Sequence, residues 1–385
     1  MSESRIRVML VDDQPIIGEA VRRMLAPFPE ITFKYCRDGA KAVAEAVEFG
    51  PTVLLQDLVM PDADGMELVS AYRAQAAVAE VPLIVLSSKE EATTKAEAFA
   101  RGANDYLVKL PDPVEVLARI RYHSRGYVAQ LERNAAYAAL AESERHLQEE
   151  VTRAAEYVTS LLPEPLPPPV ATAWRFVPSA SLGGDCFGYH WIDDDRLAVY
   201  LLDVCGHGVG PALLSVSVTN MLRAGAVPGA DPGDPGAVLA GLNAAFPMEK
   251  HNQMFFTMFY SVYSRGSRSI RWSSAGHPPA MLLAPGGGSA QLGSQGLMVG
   301  AVADLGYDTA EAPVAPGSRM VVYSDGLFEL QRPDGLRWTM EEFLAGLASD
   351  GTAGSLDDVL TRCRGFQQHD HFEDDASLLE VRFPA

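Results

Sequence analysis

The chain has 385 residues, of which 48% are hydrophobic and 21% charged, and its formal net charge is −19. The length predicts two or three domains at ~150 residues each, and the charge argues against binding to nucleic acid or to anionic lipid. No signal-peptide core is expected, and no apolar run reaches the ~18–20 residues of a membrane span. The four cysteines form no CxxC pair, which excludes a zinc knot and a disulfide framework. We therefore expect a cytoplasmic protein.

Residues 1–122 alternate short strand-like runs with amphipathic stretches of about a dozen residues. This rhythm is typical of parallel strands joined by crossover helices. We therefore predict a five-stranded, doubly wound α/β domain, whose functional groups gather beyond the carboxyl ends of the strands. The runs are IRVMLV, ITFKYC, TVLLQD, PLIVLS and DYLVKL.

Polar residues end most of these strands. Asp12 and Asp13 end the first strand, Asp57 the third, Ser87 the fourth and Lys109 the fifth. A single strand-end acid can simply cap the following helix, but capping does not account for all of these residues together. Converging carboxylates repel one another unless a divalent cation shares them, and oxygen ligands with open water positions suit Mg²⁺. We expect a Mg²⁺ site here, which would steady a phosphoryl group arriving on one acid.

The pattern VDD…QDLVMPDADG…LSS…DYLVK resembles the response-regulator receiver family across residues 1–122. The resemblance implies that a phosphohistidine supplies the phosphoryl group, so the expected partner is a sensor histidine kinase or a phosphotransfer protein. One departure is visible, because the family usually has proline straight after the lysine, whereas Leu110 intervenes before Pro111 here. The implied site residues are the phosphorylated Asp57, the Mg²⁺ ligands Asp12, Asp13, Asp57 and the carbonyl of Val59, and the switch residues Ser87, Tyr106 and Lys109.

Residues 123–170 form a predicted linker. Two series of mostly apolar residues recur there every seven positions, offset by three, and Gly126 is a point at which a helix can kink. This spacing is typical of a coiled-coil seam, so we expect a helix that forms a homodimer, although a helix packed within one chain can carry the same short seam. The prolines of LPEPLPPPV, residues 162–170, end the helix. The series are Tyr137, Glu144, Val151 and Val158, and Leu140, Leu147, Ala154 and Leu161.

Residues 171–385 contain many β runs, interrupted by helical patterns at Pro211–Ala224 and Pro235–Ala245. We predict an α+β domain with two antiparallel sheets and helices outside them. Acids stand beside small residues at the ends of its strands, in the segments GGDCFG, YLLDVCGHGVG, VVYSDGLFE and EDDASLLEV. Oxygen ligands gathered from four strands would bind two hard cations, and two such ions ~3.5–4 Å apart activate water for attack on a phosphate ester. The acids are Asp185, Asp203, Asp325, Asp374 and Asp375.

Together, DVCGHG and SSAGHPPA resemble the PPM-type serine/threonine phosphatases of the bacterial sporulation and stress-response branch. The resemblance implies a phosphoserine or phosphothreonine protein as substrate, and it favours Asp374 over Asp375 as ligand. Two departures are a glycine at Gly188, where the family usually has aspartate, and a valine at Val204, where glycine is commoner. The implied ligands of two Mn²⁺ or Mg²⁺ ions, which are also the catalytic residues, are Asp185, Asp203, Asp325 and Asp374, with the carbonyl of Val204.

The combined expectation is a two-component response regulator whose output is a metal-dependent phosphatase, acting on a phosphorylated anti-sigma-factor antagonist. The alternative is a catalytically weak phosphatase fold that sequesters a regulatory partner. A transcription factor is disfavoured, because no helix-turn-helix signal follows the receiver and the net charge is acidic. We expect phosphorylation to act through the Tyr106 face and the linker seam on the helix Pro211–Arg223, which would move Asp203 and Val204.

Overall fold

A computed structural model of the chain describes residues 6–88, 91–109, 111–179, 181–332, 337–366 and 371–385. The chain divides into two compact units, Met1–Glu144 and Arg145–Ala385, which are called here the N-terminal and the C-terminal unit. Within the described ranges, no helix is both long and apolar enough to cross a membrane.

The N-terminal unit contains a five-stranded parallel sheet in the order β2-β1-β3-β4-β5. Alternate residues of its strands pack into two separate cores, Met9 and Val11 into one and Val8 and Leu10 into the other, so both faces are covered by helices. This confirms the predicted doubly wound α/β fold. The elements are β1 (Ile6–Val11), α1 (Pro15–Leu25), β2 (Ile31–Cys36), α2 (Ala42–Phe49), β3 (Val53–Asp57), α3 (Gly65–Ala74), β4 (Leu83–Ser87), α4 (Ala92–Ala100) and β5 (Asp105–Val108).

The linker is helical, as predicted. Helix α5 (Pro113–Ser160) runs for 48 residues and continues through Gly126. Val116, Ile120 and Ser124 are buried at intervals of one turn, so a single face of its first turns packs against the N-terminal unit. The boundary between the two units therefore lies within this helix, without an intervening loop.

The residues of the two seven-residue series in α5 are exposed in the middle of the helix and partly buried near its end. Tyr137, Leu140 and Leu147 are 65%, 55% and 61% exposed. Within the C-terminal unit, by contrast, Val158 and Leu182 both line a small cavity of about 20 Å³. The last part of the seam is thus used for packing inside the chain, while its middle part presents apolar side chains to solvent.

The C-terminal unit consists of two five-stranded antiparallel sheets that share a core between them. Val199 and Leu201 from one sheet pack there with Met320 and Leu379 from the other. The strands are β6 (Ala171–Val177), β7 (Cys186–Trp191), β8 (Arg196–Val204), β9 (Phe256–Ser264), β10 (Ser269–Ala275), β11 (Ala280–Leu283), β12 (Ser289–Leu292), β13 (Ala310–Pro313), β14 (Arg319–Tyr323) and β15 (Ala376–Arg382). Their orders are β13-β10-β9-β8-β7 and β12-β11-β14-β15-β6.

Helices cover the outer face of each sheet, which confirms the predicted α+β architecture. On the first sheet lie α6 (Val209–Arg223) and α7 (Pro235–Ala245), both of which the sequence predicted. On the second lie α8 (Met340–Asp350) and α9 (Leu356–Phe366), which were not predicted from the sequence. The start of α8 does carry a local signal, a capping box between Thr339 and Glu342.

Candidate phosphorylation and metal sites

Three acids of the N-terminal unit meet at one edge of its sheet. Asp12 and Asp13 follow β1, and Asp57 ends the adjacent strand β3. Each offers a carboxylate oxygen within 4.8 Å of the others. Oδ1 of Asp13 is buried and has no hydrogen-bond partner among the described residues. Mg²⁺ prefers oxygen ligands, and these three carboxylates lie close together and include an oxygen without a hydrogen bond, so they suit this ion.

Lys109 bridges two of these acids. Its Nζ lies 2.8 Å from Oδ2 of Asp12 and 2.7 Å from Oδ2 of Asp57, and its side chain is 10% exposed. Burial lowers the pKa of Lys109, but the two carboxylates outweigh burial and hold the pKa above its usual value. Burial also raises the pKa of Asp57, which Lys109 and the Val59 N–H partly offset. The lysine therefore brings a fixed positive charge to the oxygens of Asp57.

The other residues expected at this edge lie on neighbouring strands. Ser87 ends β4 and is fully buried. Tyr106 in β5 is half-buried, with the Lys95 ammonium 5.4 Å from its ring centroid. The Val59 backbone N–H donates to Oδ1 of Asp57 at 3.2 Å. Leu110, the residue that departs from the family pattern, lies outside the described residues.

The strands of the C-terminal unit bring acids from both sheets together. Asp203 lies near the end of β8, and Asp185 directly precedes the neighbouring strand β7. Asp325 follows β14, and Asp374 lies two residues before its neighbour β15. Acids separated by up to 189 positions in sequence thus stand at the ends of neighbouring strands, two in each sheet.

Burial and mutual repulsion raise the pKa values of these carboxyls. Burial, and then the charges of Asp325 and Asp374, raise the pKa of Asp203 to about 7. Burial, and then Asp374, raise the pKa of Asp325 to about 6. The pKa of Asp185 is also well above its usual value, because of burial first and Asp203 second. Such a cluster is unfavourable when fully ionised and alone, and divalent cations would relieve the repulsion.

One oxygen of Asp185 is free to bind a ligand. Its Oδ2 accepts a hydrogen bond of 2.6 Å from the Ser377 hydroxyl. Its Oδ1 is buried and has no hydrogen-bond partner among the described residues. An unsatisfied buried carboxylate oxygen costs free energy, so its presence beside other acids fits a site for hard cations.

The glycine before Asp185 is required by close packing. A Cβ atom on Gly184 would lie 2.6 Å from the carbonyl oxygen of Val204 and 3.0 Å from that of Gly206. A side chain there would push away the turn that follows Asp203. The small residues noted in the sequence therefore let two backbone segments and their acids approach each other.

Asp374 and Asp375, which the sequence left as alternatives, have different surroundings. Asp375 is 3% exposed, and its two oxygens accept hydrogen bonds from the backbone of Ser179 and Gly184. Asp374 is exposed and accepts one hydrogen bond, from the backbone of Asp375. Both oxygens of Asp375 are thus occupied by hydrogen bonds inside the protein, whereas Asp374 has an oxygen left to bind another ligand.

The departure at Gly188 has a structural cause. A Cβ atom at this position would collide with the Tyr200 hydroxyl on the neighbouring strand. Tyr200 is fully buried and stacks on Tyr260, with ring centroids 6.2 Å apart. The space of an aspartate side chain is therefore filled here by an aromatic ring.

Two serines near the acids were missed by the sequence reading. Ser377 contacts Asp185, and the Ser324 hydroxyl donates to the Asp375 carbonyl at 2.9 Å. Ser377 could have been found from the sequence. Side chains alternate along a strand, so Ser377, two residues after Asp375, is expected on the same side of the strand as that acid.

Comparisons with known proteins identify a family for each of the two domains. Residues 8–121 match the family model of the response regulator receiver domain, and residues 193–384 match that of Stage II sporulation protein E (SpoIIE). Asp185 lies outside the second match, and the structure alone places it beside Asp203.

Individual relatives share parts of the chain. Phosphoserine phosphatase RsbU of Bacillus subtilis (strain 168) is 28% identical over 205 residues, which are 51% of this chain and 59% of that protein. Phosphoserine phosphatase RsbP of the same organism is 27% identical over 152 residues, 39% of this chain and 38% of that protein. The chain thus spans less than two thirds of either relative. The SiaA-PP2C domain of Pseudomonas aeruginosa has the same fold, with a TM-score of 0.53 and 18% identity over 63% of this chain and 99% of that one.

Proposed function

Because the chain joins a response regulator receiver domain, residues 8–121, to a SpoIIE-type phosphatase domain, residues 193–384, we propose that phosphorylation of Asp57 controls a metal-dependent protein serine/threonine phosphatase. The observation that carries the proposal is the gathering of acids from two sheets near Asp203, whose pKa is raised by Asp325 and Asp374, together with the unpartnered Oδ1 of Asp185. The relatives RsbU and RsbP are both named phosphoserine phosphatases.

In the receiver, Asp57 acts as the nucleophile. One of its carboxylate oxygens attacks the phosphorus of a phosphohistidine, a P–O bond forms, and the P–N bond breaks to release the imidazole. Lys109 stands 2.7 Å from Asp57 and offsets the negative charge that gathers on the phosphoryl oxygens. Asp12, Asp13, Asp57 and the Val59 carbonyl would hold Mg²⁺, while Ser87 and Tyr106 respond to the phosphoryl group. The partner is a sensor histidine kinase or a phosphotransfer protein.

In the phosphatase domain, Asp185, Asp203, Asp325 and Asp374 would hold two Mn²⁺ or Mg²⁺ ions, together with the Val204 carbonyl. When bound, the ions supply an activated water and neutralise charge on the phosphate ester. The residues of the chain hold the ligands in place and keep the backbone of the glycine turn clear for the substrate. The buried contacts of Asp375 support Asp374 as the ligand of that pair.

We propose a phosphoserine or phosphothreonine protein as the substrate, in particular a phosphorylated anti-sigma-factor antagonist in the cytoplasm. The net charge of −19 supports neither nucleic acid nor an anionic membrane as a partner. The exposed Tyr137, Leu140 and Leu147 support a homodimer formed through α5.

The decisive experiment is hydrolysis of p-nitrophenyl phosphate and of a phosphoserine protein with Mn²⁺ added. We expect metal-dependent turnover in the wild type and a loss of at least about 100-fold in Asp203→Ala and Asp325→Ala, as for residues that stabilise the transition state. Asp194→Ala, which removes an exposed hairpin acid, is the matched control and keeps full activity. Hydrolysis that needs no metal, or that survives both substitutions, refutes the proposal and leaves the sequestering function.

A further inference from the structure

A buried hydrogen-bond network lies behind the acids of the phosphatase domain. Ser377, in β15, is fully buried and donates to Oδ2 of Asp185 at 2.6 Å, although the two residues are 192 positions apart. This contact occupies Oδ2, while Oδ1 is buried and has no hydrogen-bond partner among the described residues. A hydroxyl in this place fixes the orientation of the carboxylate, as residues behind metal ligands commonly do.

Asp375 holds the backbone on which Asp185 stands. Oδ2 of Asp375 accepts from the Gly184 N–H at 2.6 Å, and Oδ1 accepts from the Ser179 N–H at 2.8 Å and from the Ser179 hydroxyl at 3.0 Å. A Cβ atom on Gly183 would collide with the same carboxylate. Ser179, Gly183 and Gly184 therefore lie around one buried carboxyl group.

Ser324 connects this network to a second acid. Its hydroxyl donates to the Asp375 carbonyl at 2.9 Å and accepts from the Ser377 N–H at 2.9 Å. The next residue along the chain is Asp325. Ser324, Asp375 and Ser377 thus join the ends of β14 and β15 to the loop that carries Asp185.

From these contacts we propose that Ser377 and Asp375 are positioning residues for a divalent cation held by Asp185. The inference rests on the proposed function and adds residues outside its ligand set. Ser377 sets the orientation of the carboxylate, and Asp375 sets the path of the loop. Neither side chain needs to touch the cation.

The test measures Mn²⁺ binding without substrate, from the EPR signal of the free ion during a titration of the full chain. All proteins carry Asp13→Ala, which weakens the cluster of the N-terminal unit. We expect Ser377→Ala to bind Mn²⁺ roughly 10- to 100-fold more weakly, the usual effect of losing a group that orients a ligand. Ser377→Thr keeps the hydroxyl and restores binding. Ser261→Ala, which removes a buried serine bonded to the Val199 carbonyl, leaves binding unchanged.

Thermal unfolding of the metal-free proteins separates positioning from folding. Equal Mn²⁺ affinity in a folded Ser377→Ala protein overturns the inference. If that variant does not fold, Ser377→Cys replaces it, and normal affinity there overturns the inference equally. If the protein that carries Asp13→Ala alone does not bind Mn²⁺ in the phosphatase domain, the proposed function is refuted instead, so the two failures are distinguishable.

Discussion

The guanidinium of Arg223, the last residue of α6, donates a hydrogen bond from Nη2 to the Leu161 carbonyl, 2.7 Å away and one residue past the end of α5. α6 starts directly after the glycine turn that follows Asp203. A displacement of the end of the linker helix can therefore reach the phosphatase acids through one rigid element, the route that two-state coupling needs.

We expect Arg223→Ala to weaken the control of the phosphatase by the receiver. The ratio of turnover with and without beryllofluoride, a mimic of the acyl phosphate on Asp57, should fall by roughly 2- to 30-fold, the range for residues that carry coupling. Hydrolysis of p-nitrophenyl phosphate without the mimic should stay unchanged. Arg364→Ala, which removes an exposed arginine from the last turn of α9, is the matched control. A ratio as large as that of the wild type would show that the signal takes another path.

Asp203→Asn is expected to stabilise the metal-free protein while abolishing activity. Because the pKa of Asp203 is about 7 in the folded state and about 4 when unfolded, folding takes up a proton between these pH values. The free energy of unfolding therefore falls as pH rises from about 4 to about 7. Asparagine does not ionise, so the variant does not lose stability in this way as pH rises. Its free energy of unfolding at neutral pH should exceed that of the wild type by roughly 1–3 kcal/mol.

The measurement is urea unfolding in EDTA across this pH range, reported as the difference between variant and wild type. The difference is used because buried His277, with its pKa lowered to about 3, makes the free energy of unfolding rise with pH in both proteins, and subtraction removes this contribution. The contribution of His277 to stability is lost as pH falls below about 6.5. A difference that does not grow with pH would mean that Asp203 is not strained by its neighbours.

Lys109→Met should destabilise the N-terminal unit. The substitution keeps the length of the side chain but leaves the carboxylates of Asp12 and Asp57 without their buried cation. We expect the free energy of unfolding to fall by roughly 3–5 kcal/mol, as for a broken buried ion pair. Millimolar Mg²⁺ should raise the stability of this variant more than that of the wild type. In the control, Lys41→Met removes a lysine that pairs with Asp38 at the surface and is expected to change little. Equal losses in both variants would contradict this assignment of Lys109.

The periodic parts of the fold could be predicted from sequence. The β runs with intervening amphipathic stretches identified the parallel sheet, and the acids at strand ends pointed to the edge where Asp12, Asp13 and Asp57 meet. The helix α5 followed from the absence of strand signals and from its seven-residue repeat. These features depend on local spacing, which a sequence displays directly.

Features that depend on packing between distant segments could not be predicted. Nothing near Asp375 in sequence shows that its carboxylate accepts hydrogen bonds from backbone groups almost 200 positions earlier. The effect of Gly188 likewise depends on Tyr200 in the opposite strand. Helices α8 and α9 were overlooked because their apolar residues follow β-rich segments, although the capping box at Thr339 was visible.

Leu140→Lys should convert a homodimer into a monomer. Leu140 is 55% exposed in the single chain and occupies a seam position of α5. In a paired coiled coil this position is buried, so a lysine there places a charge in the apolar interface. Sedimentation equilibrium measures the change, and Leu131→Lys is the matched control because Leu131 is 47% exposed on the same helix but belongs to neither seven-residue series.

The same pair of variants tests whether dimerisation carries the signal. Val158 is half-buried and lines a small cavity inside the C-terminal unit together with Leu182 and Asp185, so the last part of the seam cannot also pair with a second chain in this conformation. A coiled coil that extends to Val158 must turn this side chain away from the cavity, which borders Asp185. Leu140→Lys should therefore lose the response to beryllofluoride together with the dimer, while Leu131→Lys keeps both. A monomeric Leu140→Lys protein that still responds would place the control of the phosphatase within a single chain.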